Sequence, residues 1–214
     1  MAKTAVVAGL LLLAAAGAHA LDKGERAAAA GQFAWSAAGA SLDQVAAYEP
    51  AGAKQCAASA SADVAALVRA LVTVENIATP RLEAWGKAAL VRVAVPLGLG
   101  VPDLTYGPGR VRLSIARAVL RNSGEGVPAD AVLAVQLLET CGAIRVVTAL
   151  VGELVDPEGA GAAMPIDLAA VRKVARIYNG QALPTTAEAA VAHATYNSLV
   201  YALYQRYRFE ALAR

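Results

Sequence analysis

Three short stretches hold residues whose types and spacing suit chemistry. They are Glu75 in L-V-T-V-E-N, the corner Y-G-P-G-R-V over residues 106–111, and Y-N-G over residues 178–180. Glu75 follows an apolar run, Val64, Leu67, Val68, Leu71 and Val74, at helical spacing and on the same side of that helix. A carboxylate near a helix C-terminus meets the negative end of the macrodipole. The position is locally costly, and such inconsistencies mark functional sites. Gly107 and Gly109 supply backbone freedom on either side of the stiff Pro108. A corner of this kind either punctuates the chain before a helix or lets the backbone approach a ligand. Tyr178 brings an aromatic hydroxyl to the end of a helical pattern, where Asn179-Gly180 is a stop signal.

Other chemistries find little support. With two His residues in the chain, no Ser-His-Asp arrangement is convincing, and His193 among Ala and Thr reads as structural. Two Cys without clustered His do not suggest a zinc site, and neither a metal nor an organic cofactor is implied. The formal charge of +2, without any long Lys/Arg block, argues against a nucleic-acid partner.

The elements that must position these residues read as helices. Apolar residues make up 57% of the 214-residue chain and aromatics 5%, so Ala, Val and Leu must form the core, and Ala and Leu favour helix. Residues 1–20 have the form of a secretory signal peptide: Lys3, an apolar stretch over residues 6–16, and Ala18-His19-Ala20 at the cleavage site. The expected mature start is Leu21, and the expected location is periplasmic or secreted. No later segment suits stable membrane insertion, since Arg92 and Pro96 interrupt the best candidate. An exporting route permits a disulfide between Cys56 and Cys141, worth on the order of 4 kcal/mol. Two separate buried thiols are the alternative.

Residues 21–60 form an Ala/Gly/Ser-rich lead-in with one short helix over residues 42–48. Residues 61–214 form the main domain. Ser61 caps the helix that carries Glu75, and Thr79-Pro80 open a helix running to about Val95. Pro96, Gly98, Gly100 and Pro102 then break the chain. Further helices are expected over residues 111–120, from Pro128 to Val155 through Gly142, over residues 165–178, and from about Thr186 to Leu212. No stretch reads as a strand. The expectation is a single all-α domain of six or seven helices.

In their order along the chain, the Glu-terminated helix, the glycine corner with V-R-L-S-I-A, and the V-A-R-I-Y-N-G run resemble the lysozyme-like superfamily. The lytic transglycosylases and their relatives are the nearest in kind. The resemblance covers roughly residues 61–214. It implies a lysozyme-like helical domain that cleaves peptidoglycan glycan strands, with Glu75 as the general acid. Gly107, Gly109, Arg110 and Val111 match the substrate-lining segment, and Tyr178, Asn179 and Gly180 match the Y-N-G run. Asn76 stands where the family usually has Ser, Arg110 replaces its Gln, and the segment between Glu75 and the corner is longer. A hydrolase would want a second carboxylate. Asp103 is the candidate, with Glu83 expected on the solvated face of the inserted helix. The alternatives are a catalytically altered or inactive cell-wall-binding protein of the same fold, and a helical periplasmic interaction protein. For the enzyme and the binder alike, an envelope assembly is the further partner to expect.

Overall fold

The helix that carries Glu75 runs through the middle of the structure, a computed structural model that describes residues 41–78, 81–156, 166–178 and 187–213. The chain order is α1 (Leu42–Ala46), α2 (Ala53–Cys56), α3 (Ala62–Ala78), α4 (Arg81–Ala94), β1 (Thr105–Tyr106), β2 (Val111–Arg112), α5 (Leu113–Asn122), α6 (Asp130–Leu138), α7 (Thr140–Val155), α8 (Leu168–Tyr178) and α9 (Ala187–Leu212). The protein is mostly helical, as expected. Residues 1–20, expected as a signal peptide, the first half of the lead-in (residues 21–40), Thr79-Pro80 and Asn179-Gly180 lie outside the described residues.

Ser61 begins α3 as its composition requires, its Oγ accepting from the Val64 amide at 3.4 Å. From Ala66 to Glu75 this helix is buried all round, with Leu67, Val68, Leu71, Val72 and Val74 fully enclosed. It packs most extensively on α9 and also meets α7, α1 and α2. The few polar groups on α3 are paired where they are buried. Arg69 binds Glu49 at 2.6 Å and Glu210 at 3.1 Å, with its guanidinium over the Tyr207 ring. The Thr73 hydroxyl donates to the Arg69 carbonyl at 2.7 Å. Asp63 accepts from the Tyr204 hydroxyl at 3.0 Å. A polar seam therefore runs between α3 and α9, and Glu75 lies on it.

The end of the lead-in is more ordered than its composition suggests. Ser41 and Gln44 form a capping box on α1, and Val45, Ala53 and Ala57 belong to the core. Cys56 and Cys141 form a disulfide with a Cα–Cα distance of 5.0 Å, fastening α2 to the first turn of α7. The bond closes a loop of 85 residues. Replacing both cysteines with Ser is expected to cost about 4 kcal/mol, seen as a lower urea midpoint.

Two expectations are corrected. The chain from Pro128 to Val155 is not one helix. Glu139 is extended, and α6 and α7 meet at 103°. Gly142 explains the break, because a Cβ there would lie 2.0 Å from the Gln136 carbonyl oxygen. The glycine permits the first turn of α7 to press on the last turn of α6. It is a packing residue, not a tolerated helix interior. Among the described residues no single helix is long and apolar enough to cross a membrane.

Nor is the structure free of strands. Thr105 pairs with Arg112 and Tyr106 with Val111 in an antiparallel hairpin, so α5 starts at Leu113 and not at Val111. The corner of residues 107–110 closes it, with Gly107 at φ +66 and Arg110 at φ +46. The Arg110 amide donates to the Gly107 carbonyl at 3.0 Å. Strands this short carry too little alternation to be read from sequence.

Candidate active site

Glu75 sits in the last turn of α3, only 7% exposed. Its Oε1 accepts a hydrogen bond from the Tyr196 hydroxyl of α9 at 2.7 Å. Its Oε2 faces Arg110 Nε of the hairpin turn at 3.8 Å. Burial raises the Glu75 carboxyl above its ordinary range; the Arg110 charge and the Tyr196 hydrogen bond pull it part of the way back. The outcome is a desolvated carboxyl that holds its proton more firmly than a free glutamate, the direction a general acid needs.

The turn is packed too closely at Gly107 for any side chain, and tightly at Gly109. A Cβ on Gly107 would fall 1.6 Å from the Leu137 carbonyl oxygen. On Gly109 it would come within 3.0 Å of Val147 Cγ2 and 3.2 Å of the Tyr178 hydroxyl. The Tyr178 hydroxyl, at the end of α8, donates to the Gly109 carbonyl. Burial and the nearby Glu75 charge both hold this phenol well above its usual range, and the Arg110 charge partly opposes them. The same influences, together with its bond to Glu75, act on Tyr196. Both tyrosines are therefore proton donors to fixed acceptors.

Segments far apart in the chain, around Glu75, Gly107 to Arg110, and Tyr178, thus converge. Val111 does so less directly: it is buried in the core as the ladder partner of Tyr106. Asn179 lies outside the described residues, as does the side chain of His193. Among the described residues no group of three His, Cys, Asp or Glu could hold a metal ion.

Asp103 serves a different purpose. Its side chain is 46% exposed, and its two oxygens accept from the Ser114 amide at 2.7 Å and the Ser114 hydroxyl at 2.9 Å. It caps the first turn of α5. Asp103→Ala is expected to cost about 1 kcal/mol of stability in urea denaturation while leaving the surroundings of Glu75 intact.

Glu83, by contrast, is not solvated. Its side chain is 8% exposed, paired with Lys87 one turn on and 3.7 Å from Arg110 Nη2. Lys87 also donates to the Thr105 hydroxyl at 2.9 Å, which ties α4 to the hairpin. Arg110 therefore lies between two carboxylates from different helices. The sequence offered one sign of the tyrosine partner. Tyr196, Val200, Leu203 and Tyr207 form a helical stripe in α9 and are all buried, and a buried phenol in such a stripe needs an acceptor. Glu83 and Lys87 carried no such sign, because an i,i+4 pair normally marks a wet face.

No family model, no curated protein and no solved structure matches this chain.

Proposed function

We propose that this protein is an exported lysozyme-like enzyme that cleaves the glycan strands of peptidoglycan, with Glu75 as its single acid and base. The observation that carries the reading is the meeting of Glu75, the Gly107–Arg110 turn and Tyr178 at one desolvated place. Those are the segments that resemble the family's motifs. The Glu75 carboxyl gives its proton to the leaving glycosidic oxygen as positive charge grows at the anomeric carbon. The resulting carboxylate then takes the proton of the sugar's own hydroxyl as that oxygen bonds to the anomeric carbon, leaving an anhydro ring. The glycan strand lies against the side of the turn that carries Arg110, whose side chain keeps 16% exposure. The signal peptide of residues 1–20 delivers the protein to the periplasm or beyond, where a disulfide persists.

A second reading, a cell-wall binder without turnover, is favoured by Arg110. Its charge partly offsets the burial that raises the Glu75 carboxyl, and so works against the protonated form that an acid needs. Mass analysis of fragments from purified peptidoglycan separates the possibilities. Anhydro ends are the expected result. Water-added reducing ends would make the enzyme a hydrolase, with a second carboxylate to be sought by substituting Asp103 and Glu83. Binding without fragments would select the binder.

A further inference from the structure

The outward face of α8 carries positive charge that the fold does not answer. Val171, Val174 and Ala175 turn into the core, and Tyr178 at the helix end donates to the Gly109 carbonyl. Helical spacing puts Arg172, Lys173 and Arg176 on the other side, where all three are exposed around the small Ala169. Among the described residues none of the three cations has an ion pair. Asp167, just before the helix, is engaged in capping it, its Oδ1 accepting from the Ala170 amide at 2.7 Å. Other surface guanidiniums sit on carboxylates: Arg117 on Asp130, Arg145 on Glu125, Arg206 on Asp43 and Arg208 on Asp63. Arg92 and Arg121 are exposed without such a partner, but singly, on two other helices. On α8 the three cations are i,i+3 and i,i+4 neighbours, and like charges so spaced weaken a helix. The negative end of the helix offsets that cost only for Arg176, in the last turn.

Resting on the reading that peptidoglycan is this protein's polymer, we propose that the face of Arg172, Lys173 and Arg176 is a second binding surface, outside the cleavage site, for the carboxylates of the wall's peptide stems. Three cations within little more than one helical turn match a ligand that repeats its negative charge. Arg172 and Arg176 stand about 6 Å apart along the axis, and Ala169 leaves their guanidiniums room to fork onto carboxylates. The face lies across α8 from Tyr178, so a stem held there belongs to a part of the mesh other than the bond being cut. Lipid headgroups offer the same sign of charge. The apolar side of α8 is buried in the core, however, and of its large apolar residues Ile177 alone is exposed, at 43%. A helix that binds a bilayer needs an apolar face to bury there. This one presents charge, which suits a solvated acidic polymer. Each contact is weak and screened by salt, but many stems in one insoluble mesh act together. The protein is thereby kept on the wall while its site works.

The test compares the full mature protein with a triple variant, Arg172→Gln, Lys173→Gln and Arg176→Gln together, and with a control carrying Arg92→Gln and Arg121→Gln. Urea melts check that both variants stay folded. Co-sedimentation is measured with native insoluble peptidoglycan, with the same wall after its carboxylates are converted to methyl amides, and with phosphatidylglycerol vesicles. Wild type is expected to bind native wall about five- to tenfold more tightly than amidated wall, an advantage that fades in high salt. The triple variant should bind both walls equally weakly, and the control should behave as wild type. On short soluble glycan strands without peptide stems, all three proteins are expected to share one kcat/KM. Equal binding of wild type to both walls, undiminished binding by the triple variant, or an equal loss in the control would each overturn the surface. So would a triple variant that turns over the stemless strands more slowly, which would move these residues into the site. Loss of vesicle binding with the wall still held would overturn it in favour of lipid. Failure of the underlying reading looks different. No strand would then be cleaved by any of the proteins, yet the α8 face would still govern binding to native wall, placing the surface in a binder.

Discussion

Glu75→Gln is expected to reduce cleavage of peptidoglycan strands by about a thousandfold while the protein stays folded. Gln matches Glu in shape and still offers an oxygen to the Tyr196 hydroxyl, whose bond to Glu75 is 2.7 Å. Arg110 retains Glu83. What disappears is the transferable proton. The same substitution has a thermodynamic signature whose sign can be worked out. Burial raises the folded-state Glu75 above its ordinary value of 4.5. From about that value upward the native state holds more proton than the unfolded chain, so stability falls as pH rises towards the folded midpoint. Gln does not titrate. The wild type should therefore lose ground to the variant as pH rises above 4.5 in paired urea melts. A wild type that instead gained on the variant over that interval would mean the carboxylate is the favoured buried form. That result would sink the acid assignment.

Gly107→Ala should be among the most damaging single changes in the domain, costing about 3 kcal/mol or more and removing activity with the hairpin turn. Two penalties coincide there. The backbone is at φ +66, and the added methyl would lie 1.6 Å from the Leu137 carbonyl oxygen and 2.7 Å from its carbon. Backbone atoms cannot rotate aside as a side chain can. Gly124 provides the control: it has φ +73, and a Cβ there would meet nothing within 4 Å. Gly124→Ala should carry only the conformational cost, about 1 kcal/mol. Chemical denaturation of both variants separates the two penalties, and equal losses would show that the contact with Leu137 relaxes freely. The expected loss of activity has a direct cause. Displacing residue 107 shifts Gly109, which receives the Tyr178 hydrogen bond, and Arg110, which faces Glu75.

Sequence alone determined what local chemistry can specify. The Ser61 cap and the apolar spacing from Val64 to Val74 made α3 legible, and with it the anomalous Glu75. Ala and Leu content made the helical class legible, and the pair of cysteines suggested the Cys56–Cys141 bond. Tertiary structure decided whatever depends on what lies opposite a residue. Gly142 reads as a weak point in a helix until the Gln136 carbonyl is seen beneath it. Asp103 and Glu83 are both carboxylates in the stretch between Glu75 and α5, yet one caps α5 in solvent and the other is drawn into the site by Lys87 and Arg110. Spacing within a segment fixes which face a side chain occupies. The cost of burying its charge depends on partners contributed by distant segments, and only the packed chain brings those to it.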